Sequence, residues 1–425
     1  MGSNAKALRG HIIYAPTSKE LISKENGYIV YEGENIVGVY DELPAEYKDC
    51  AVEDYGSKVI IPGLVDLHVH APQFAVRGVG LDMELLDWLN TYIFCTESKF
   101  ADPAYARMVY RKVAQDFVKQ GTTRIVIFGT IHNAATEILM DEFAKVGVTA
   151  YVGKVNMDRN SPDYLIEKTD DSVKDTIKFI EETVNKYPHI KPIVTPRFVP
   201  SCTPELMAEL GKIARKYDLP VQSHLSENHG EIAWVHELEP ECKYYLDAYK
   251  KYDLFGNGLN TVMAHCVHMS DDEIKAMKDC GVYVAHCPES NNNLSSGISP
   301  IRKLMDAGVH VGLGSDVSGG YELSILKVMC EAIQVSKLKW ESEGREGSFL
   351  TVLEAFYLGT TGGAEYFGHK GGFGAGDPLH ALVIDDTDLK YDKTLKDTPE
   401  ERIERIIHLA DDRNIVARYA NGKNI

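Results

Sequence analysis

Apolar and polar positions divide the chain into three stretches with different rhythms. From about Ala7 to Ile61 short apolar runs are punctuated by turns. Gly27-Tyr-Ile-Val-Tyr31, a Glu32-Gly-Glu-Asn35 turn and Ile36-Val-Gly-Val-Tyr40 predict a hairpin. The middle alternates instead. Strand-like runs fall at Gly63–His70, Thr123–Gly129, Thr149–Asn156, Lys191–Phe198, Leu219–His224, Thr261–His265, Val282–His286 and Val309–Asp316. Between them lie amphipathic stretches such as Tyr105–Gln120, Asp171–Lys186, Pro204–Tyr217, Glu227–Lys250, Asp272–Asp279 and Ile301–Ala307. Strands alternating with helices in this way predict an α/β chain, a TIM-like (β/α)8 barrel. The stretch Ala71–Phe100 breaks the rhythm, and its Met83-Glu-Leu-Leu-Asp-Trp-Leu89 segment predicts a helical cap over a site. The end of the chain echoes its beginning, with strand-like Ala381–Ile384, Asn414–Tyr419 and an Asn421-Gly422 turn. We expect residues 1–61 and 371–425 to build one small β-sandwich domain from both termini, and residues 62–370 to form the barrel.

Bulk composition narrows the class of partner. At 425 residues, 44% apolar and 25% charged, the chain has the make-up of an ordinary globular enzyme of more than one core. Its formal charge of −18 argues against nucleic acid or an anionic membrane as a partner, since both select basic patches. No apolar run approaches the roughly 18 residues of a membrane span, and no basic-then-apolar leader opens the sequence. The eight cysteines are dispersed without a Cys-x-x-Cys pair, so reduced thiols and a cytoplasmic location are expected. Gly2 superficially suggests lipidation, but residue 6 is Lys rather than Ser or Thr.

The candidate chemistry sits where the runs end. His68 and His70, in Pro62-Gly-Leu-Val-Asp-Leu-His-Val-His70, stand at i and i+2 on one strand and share a face. His224, His265 and Asp316 close later runs, as does Arg197, and active sites of (β/α)8 enzymes occupy that face of the barrel. Two histidines, a third from another strand and a carboxylate make a metal site able to hold a hydrolytic water. Glu227, in His224-Leu-Ser-Glu227, is expected to carry the proton; its alternative is a first-turn helix carboxylate. His265 could be a ligand, a proton donor or a core histidine, and a role beside the metal, polarising the attacking water, is favoured. Asp316, set among glycines in Gly312-Leu-Gly-Ser-Asp-Val-Ser-Gly-Gly320, can bind metal and take the water's proton; its alternative is an N-cap. His286 is assigned a structural or supporting role. Lys154 is not expected to bridge two metals, so a single-metal site is preferred.

In this order Pro-Gly-Leu-Val-Asp-Leu-His-Val-His, His-x-x-Glu, Ala-His-Cys-Pro and Gly-Ser-Asp resemble the amidohydrolase superfamily over nearly the whole chain. His70-Ala-Pro-Gln73, Leu85-Leu-Asp-Trp-Leu89, Thr195-Pro-Arg-Phe-Val-Pro-Ser-Cys202 and Gln222-Ser-His-Leu-Ser-Glu-Asn228 resemble its guanine-hydrolysing members. The resemblance implies one Zn2+ per chain, with Fe2+ a second ion that suits the set, held by His68, His70, His224 and Asp316. It implies that guanine is contacted by Gln73, Arg197 and Phe198, with His70, Trp88, His224, Glu227 and Asp316 completing the substrate pocket. The guanidinium fork matches guanine's O6/N7 acceptors, whereas adenine offers a donor at position 6. The implied reaction is hydrolysis at C2 to xanthine and ammonia, with Glu227, His265 and Asp316 as catalytic groups, in purine catabolism or salvage. A homodimer is the implied assembly. The alternative activity is deamination of a related heterocycle, such as a pterin, an oxidised guanine or a triazine.

Overall fold

The computed structural model describes residues 5–392, 394 and 396–425; Met1–Asn4, with the Gly2 pattern and the start of the expected N-terminal unit, lie outside them. Four strands open the chain: β1 (Ala5–Thr17), β2 (Glu20–Glu32), β3 (Asn35–Tyr40) and β4 (Ala51–Pro62). The predicted hairpin is β2–β3, antiparallel across a two-residue turn in which Gly33 takes φ 60°. The strands of the α/β body follow. They are β5 (Leu64–His70), β6 (Thr122–Phe128), β7 (Thr149–Gly153), β8 (Val155–Asn156), β9 (Ile190–Pro192), β10 (Thr195–Pro196), β11 (Val221–Leu225), β12 (Thr261–His265), β13 (Tyr283–His286) and β14 (His310–Leu313). Near the end come β15 (Ala381–Ile384), β16 (Ile415–Ala420) and β17 (Lys423–Asn424).

Two four-stranded parallel sheets, β5-β6-β7-β9 and β11-β12-β13-β14, make the wall of the α/β body. Backbone hydrogen bonds stitch them together at both seams. Gln222 N–H donates to Val194 C=O at 3.0 Å, and Val194 N–H to Pro220 C=O at 3.0 Å. On the other side Asp316 N–H donates to His68 C=O at 2.8 Å, and His70 N–H to Val317 C=O at 3.0 Å. The strands thereby close on themselves. Two of the sequence runs are broken: Thr149–Asn156 splits into β7 and β8, and Lys191–Phe198 into β9 and β10, with β8 and β10 pairing separately. β5 and β6 are buried at every position, as expected of parallel strands covered on both faces.

The helices between the strands bury one stripe each. Pro103–Lys119 starts at Asp102, whose carboxylate accepts from Ala104 N–H, and buries Ala106, Val109, Tyr110, Val113 and Phe117 against the wall. Each such aliphatic or aromatic side chain contributes about 1.5–3 kcal/mol when fully buried. The single helix predicted over Glu227–Lys250 is instead two, His229–Leu238 and Tyr245–Lys251. Pro240 lacks an N–H and restricts the residue before it, which ends the first helix. In the stretch after Tyr391, Thr398-Pro-Glu-Glu401 forms a capping box and starts the helix Pro399–Leu409.

The terminal strands form one seven-stranded sheet in the order β17-β16-β15-β4-β1-β2-β3, mixed because β1 and β4 run parallel. It curls over a core of its own. Leu8, Ile12, Ile29, Ile36, Ile60, Val383, Ala417 and Tyr419 share one apolar cluster, and Leu379 N–H donates to Glu34 C=O at 2.7 Å. All eight cysteines are free thiols. Among the described residues no helix is long and apolar enough to cross a membrane.

Candidate active site

The strand ends deliver a cluster of imidazoles and carboxylates to one mouth of the wall. Alternation along β5 sends His68 and His70 to the same side, and both are buried. The aromatic ring of Phe128, at the end of β6, packs against His68, His70 and His224 with centroids 4.5–5.0 Å away and fixes their orientation. Gly314 lets the last strand come close, since a Cβ there would lie 2.9 Å from His68 Cβ. Asp316 then reaches His68 Nε2 at 3.2 Å and His70 Nε2 at 3.7 Å. His70 Nε2 and His224 Nε2 are 3.0 Å apart. His265 Nε2 stands 3.3 Å from Glu227 Oε2 and 3.7 Å from Asp316 Oδ2. His265 and Asp316 hold left-handed backbone conformations, φ 73° and 47°, a strain typical of residues whose position matters more than their comfort.

Hydrogen bonds behind the cluster decide what each ring offers. His224 Nδ1–H donates to the Arg197 carbonyl at 2.6 Å, and His265 Nδ1–H to Asn291 Oδ1 at 2.9 Å. Each therefore presents an Nε2 lone pair to the mouth when neutral. Burial, and next the charge of His68, push His70 and His224 well below the usual histidine range, which keeps both neutral. Burial alone would raise the Asp316 carboxyl. His68, by charge and hydrogen bond, and then His265 outweigh it and hold Asp316 ionised, well below its ordinary value. Glu227 goes the other way. Burial and then the charge of Asp316 push it up to about 8, against a hydrogen bond that Ser296 Oγ donates at 3.0 Å. Two neighbouring carboxyls thus differ in protonation at neutral pH, the condition for an acid and a base to work side by side.

A cavity opens onto this cluster. His70, Gln73, Trp88, Arg197, Phe198, His224, Glu227, His265 and Asp316 all line it, together with Leu85, Leu89, Glu231 and Leu294. The cap predicted over the site is there as short turns of 3-10, α and π helix between Ala71 and Ala101, and Gln73, Leu85, Trp88 and Leu89 are its contribution. Trp88 donates its indole N–H to Val79 C=O at 3.1 Å, so its ring is what remains for the cavity.

The model of the amidohydrolase family matches residues 59–425. Guanine deaminase of Dictyostelium discoideum is 42% identical over 381 residues, covering 88% of this chain and 84% of that protein. The Mus musculus guanine deaminase is 39% identical over 432 residues, covering 99% and 93%. The chain belongs to the amidohydrolase family, among the guanine deaminases. A crystal structure of guanine deaminase from C. acetobutylicum with guanine bound in its active site superposes with a TM-score of 0.96, at 46% identity over 99% of this chain and all of that one.

Amidohydrolases are metal-dependent enzymes, and the donor set here fits an ion. His68, His70 and Asp316 bring one ligand atom each within 4.8 Å of one another, and so do His68, His224 and His265. His68 Nε2 is buried and makes no hydrogen bond among the described residues. Three imidazoles and a carboxylate that converge in this way match the nitrogen and oxygen donors a divalent transition metal takes. Lys154 stands apart, bonded to Glu167 and Ser172. His286 is fully buried, neither ring nitrogen has a hydrogen-bond partner among the described residues, and burial pushes it down to about 3. Asp316 caps no helix, since the next one begins at Ile325 after Ser324. Glu227 precedes the helix that Asn228 caps.

The sequence reading passed over several residues. Glu97 is buried and accepts from Gln73 Nε2 at 3.1 Å and from Arg197 at 2.5 Å. Glu231 accepts the Glu227 N–H at 3.0 Å and the Tyr245 hydroxyl at 2.7 Å. Asp66 Oδ1 accepts from His68 N–H at 3.2 Å and Ser315 N–H at 3.0 Å, tying β5 to the Asp316 loop. Glu231 was within reach, because Asn228-x-x-Glu231 is a capping-box pattern. Nothing in the spacing around Glu97 distinguishes it.

Proposed function

We propose that this protein hydrolyses guanine at C2, giving xanthine and ammonia. One observation carries the reading: a single cavity is lined both by Arg197, Phe198 and Gln73 and by the histidine–carboxylate cluster. Arg197 has donors and no acceptor, which suits guanine's O6/N7 edge and disfavours adenine's amino group. Phe198 offers the purine an apolar face. Gln73 faces the N2/N3 side.

His68, His70, His224 and Asp316 would hold the ion, which we assign as one Zn2+ per chain; Fe2+ suits the same donors. When bound, the ion supplies Lewis acidity that makes water nucleophilic near neutral pH. The chain's own groups do the rest. Asp316 and His265 accept the proton of the attacking water and stabilise the tetrahedral adduct at C2. Glu227, its carboxyl held between Ser296 and His265, delivers a proton to ring N3 as C2 is attacked. The proton taken from water passes to the exocyclic amine, the C2–N bond breaks as C2=O forms, ammonia leaves, and the hydroxyl proton released at C2 restores Glu227. Water and guanine are thereby converted to xanthine and ammonia with no other reactant.

We further assign the protein to purine catabolism or salvage in the cytoplasm, acting as a homodimer, with residues 1–61 and 371–425 as one unit beside a catalytic unit of residues 62–370. The first test is ammonia release from guanine by protein of measured metal content, with adenine, pterin and cytosine alongside. Guanine-selective release at about one metal per chain is expected. Metal-loaded protein that ignores guanine and attacks pterin would overturn the substrate assignment.

A further inference from the structure

The cap carries a carboxylate that holds both base-reading side chains at once. Glu97 is 3% exposed and sits in the short helix Phe94–Glu97. Its Oε1 accepts from Gln73 Nε2 at 3.1 Å and its Oε2 from Arg197 at 2.5 Å. Three residues earlier on the same turn, the Phe94 ring lies 5.2 Å from the Arg197 guanidinium. Arg197 is thus gripped on one edge by charge and on one face by an aromatic ring. Gln73 is pinned from both ends, because its Oε1 accepts from Ser318 N–H at 3.3 Å. With its NH2 group turned to Glu97, the amide has one orientation.

Resting on the guanine reading above, we infer that Glu97 is a positioning residue that sets which base the cavity accepts. Two consequences follow from its charge and geometry. Arg197 and Gln73 meet the purine as one preorganised unit, so the donors aimed at O6 do not have to be ordered on binding. The Glu97 carboxylate also cancels the guanidinium charge, so the reading end of the cavity favours a neutral base over an anionic one. Xanthine loses a ring proton more readily than guanine does. A neutralised pocket therefore releases the product it makes.

Glu97→Gln keeps size and one acceptor while removing the charge, and Glu97→Asp restores the charge at shorter reach. The test measures guanine and 2-aminopurine (which has the C2 amine and lacks O6) with both variants and wild type, along with xanthine inhibition and metal content. In Glu97→Gln, the KM for guanine is expected to rise about tenfold or more, the size of a lost hydrogen bond to a charged group. Metal content should stay at the wild-type level. The kcat/KM ratio of guanine to 2-aminopurine should shrink by a similar factor, and xanthine should inhibit more strongly as pH rises. Glu97→Asp should recover part of the ratio. A merely structural role would lower both substrates equally and leave the ratio alone; that result, or unchanged guanine kinetics, overturns the inference while the function stands. Wild-type protein without guanine turnover overturns both.

Discussion

The two ends of the cavity are built on different foundations. The reacting end is made from strand termini: His68 and His70 from β5, His224 from β11, His265 from β12 and Asp316 just beyond β14. Their backbones are locked by ladder hydrogen bonds, and Phe128 and Asp66 brace them from behind. The reading end is mixed: Arg197 and Phe198 follow β10, while the cap, a succession of short 3-10, α and π turns, supplies Gln73, Leu85, Trp88 and Leu89 to the cavity and Glu97 beneath it. The same enzyme thus keeps its bond-breaking groups on strand ends and hangs part of its substrate pocket, with the carboxylate that holds Arg197, on an irregular excursion. Chemistry and choice can then change separately, because an altered cap need not disturb the strand ends.

That separation can be broken most severely from the reacting end. Asp316→Ala removes a candidate ligand and a proton acceptor together. Turnover should fall by about 10^4-fold or more, beyond what one positioned acid–base group contributes, and metal analysis should show depleted protein. Glu227→Gln is the sharper cut. A loss of about 10^2–10^4-fold in kcat is expected at wild-type metal content; retained turnover would remove Glu227 from proton transfer. At the reading end the effect should move to KM. Arg197→Ala is expected to raise it for guanine by tens of fold, roughly what hydrogen bonds from a charged group are worth, with the metal kept. If Arg197→Ala also emptied the metal site, the two ends would not be independent.

How much of each end could be read in advance follows from the same contrast. Ligands at strand ends obey a period of two and a repeating strand–helix rhythm, so His68, His70, His224, His265 and Asp316 announce themselves. The fold was legible for that reason as well. What escaped lies where periodicity gives no guidance. Glu97 acts through Arg197, 100 residues away in the chain, and nothing local marks such a partner. The helix over Glu227–Lys250 was overextended because the apolar spacing continues through Pro240, and a missing N–H outweighs pattern. The capping box at Thr398–Glu401 was readable, because Thr-Pro-Glu-Glu is a helix-start pattern that needs no resemblance to any family.

The smallest expected effect concerns stability beneath the reacting end. Burial, and then the charge of Glu227, push the Glu231 carboxyl from 4.5 up to about 7. A raised carboxyl binds its proton more tightly when folded than when unfolded. Its favourable contribution is therefore complete below about pH 4.5 and is lost as pH rises through 7. Glu231→Gln should flatten the decline of Tm between those values at fixed metal occupancy, as followed by thermal unfolding. An unchanged slope would place the titration elsewhere.

The seam between β5 and the Asp316 loop has a bearing on how the molecule comes into being. Ser315 N–H meets the Asp66 carboxylate across 249 positions of chain, and Asp316 N–H meets the His68 carbonyl beside it. During synthesis the first two histidines emerge long before the carboxylate that completes their cluster. A growing chain carries an unfinished centre until almost the whole wall has been made. Hydrolytic competence therefore waits for the strand that shuts the ring.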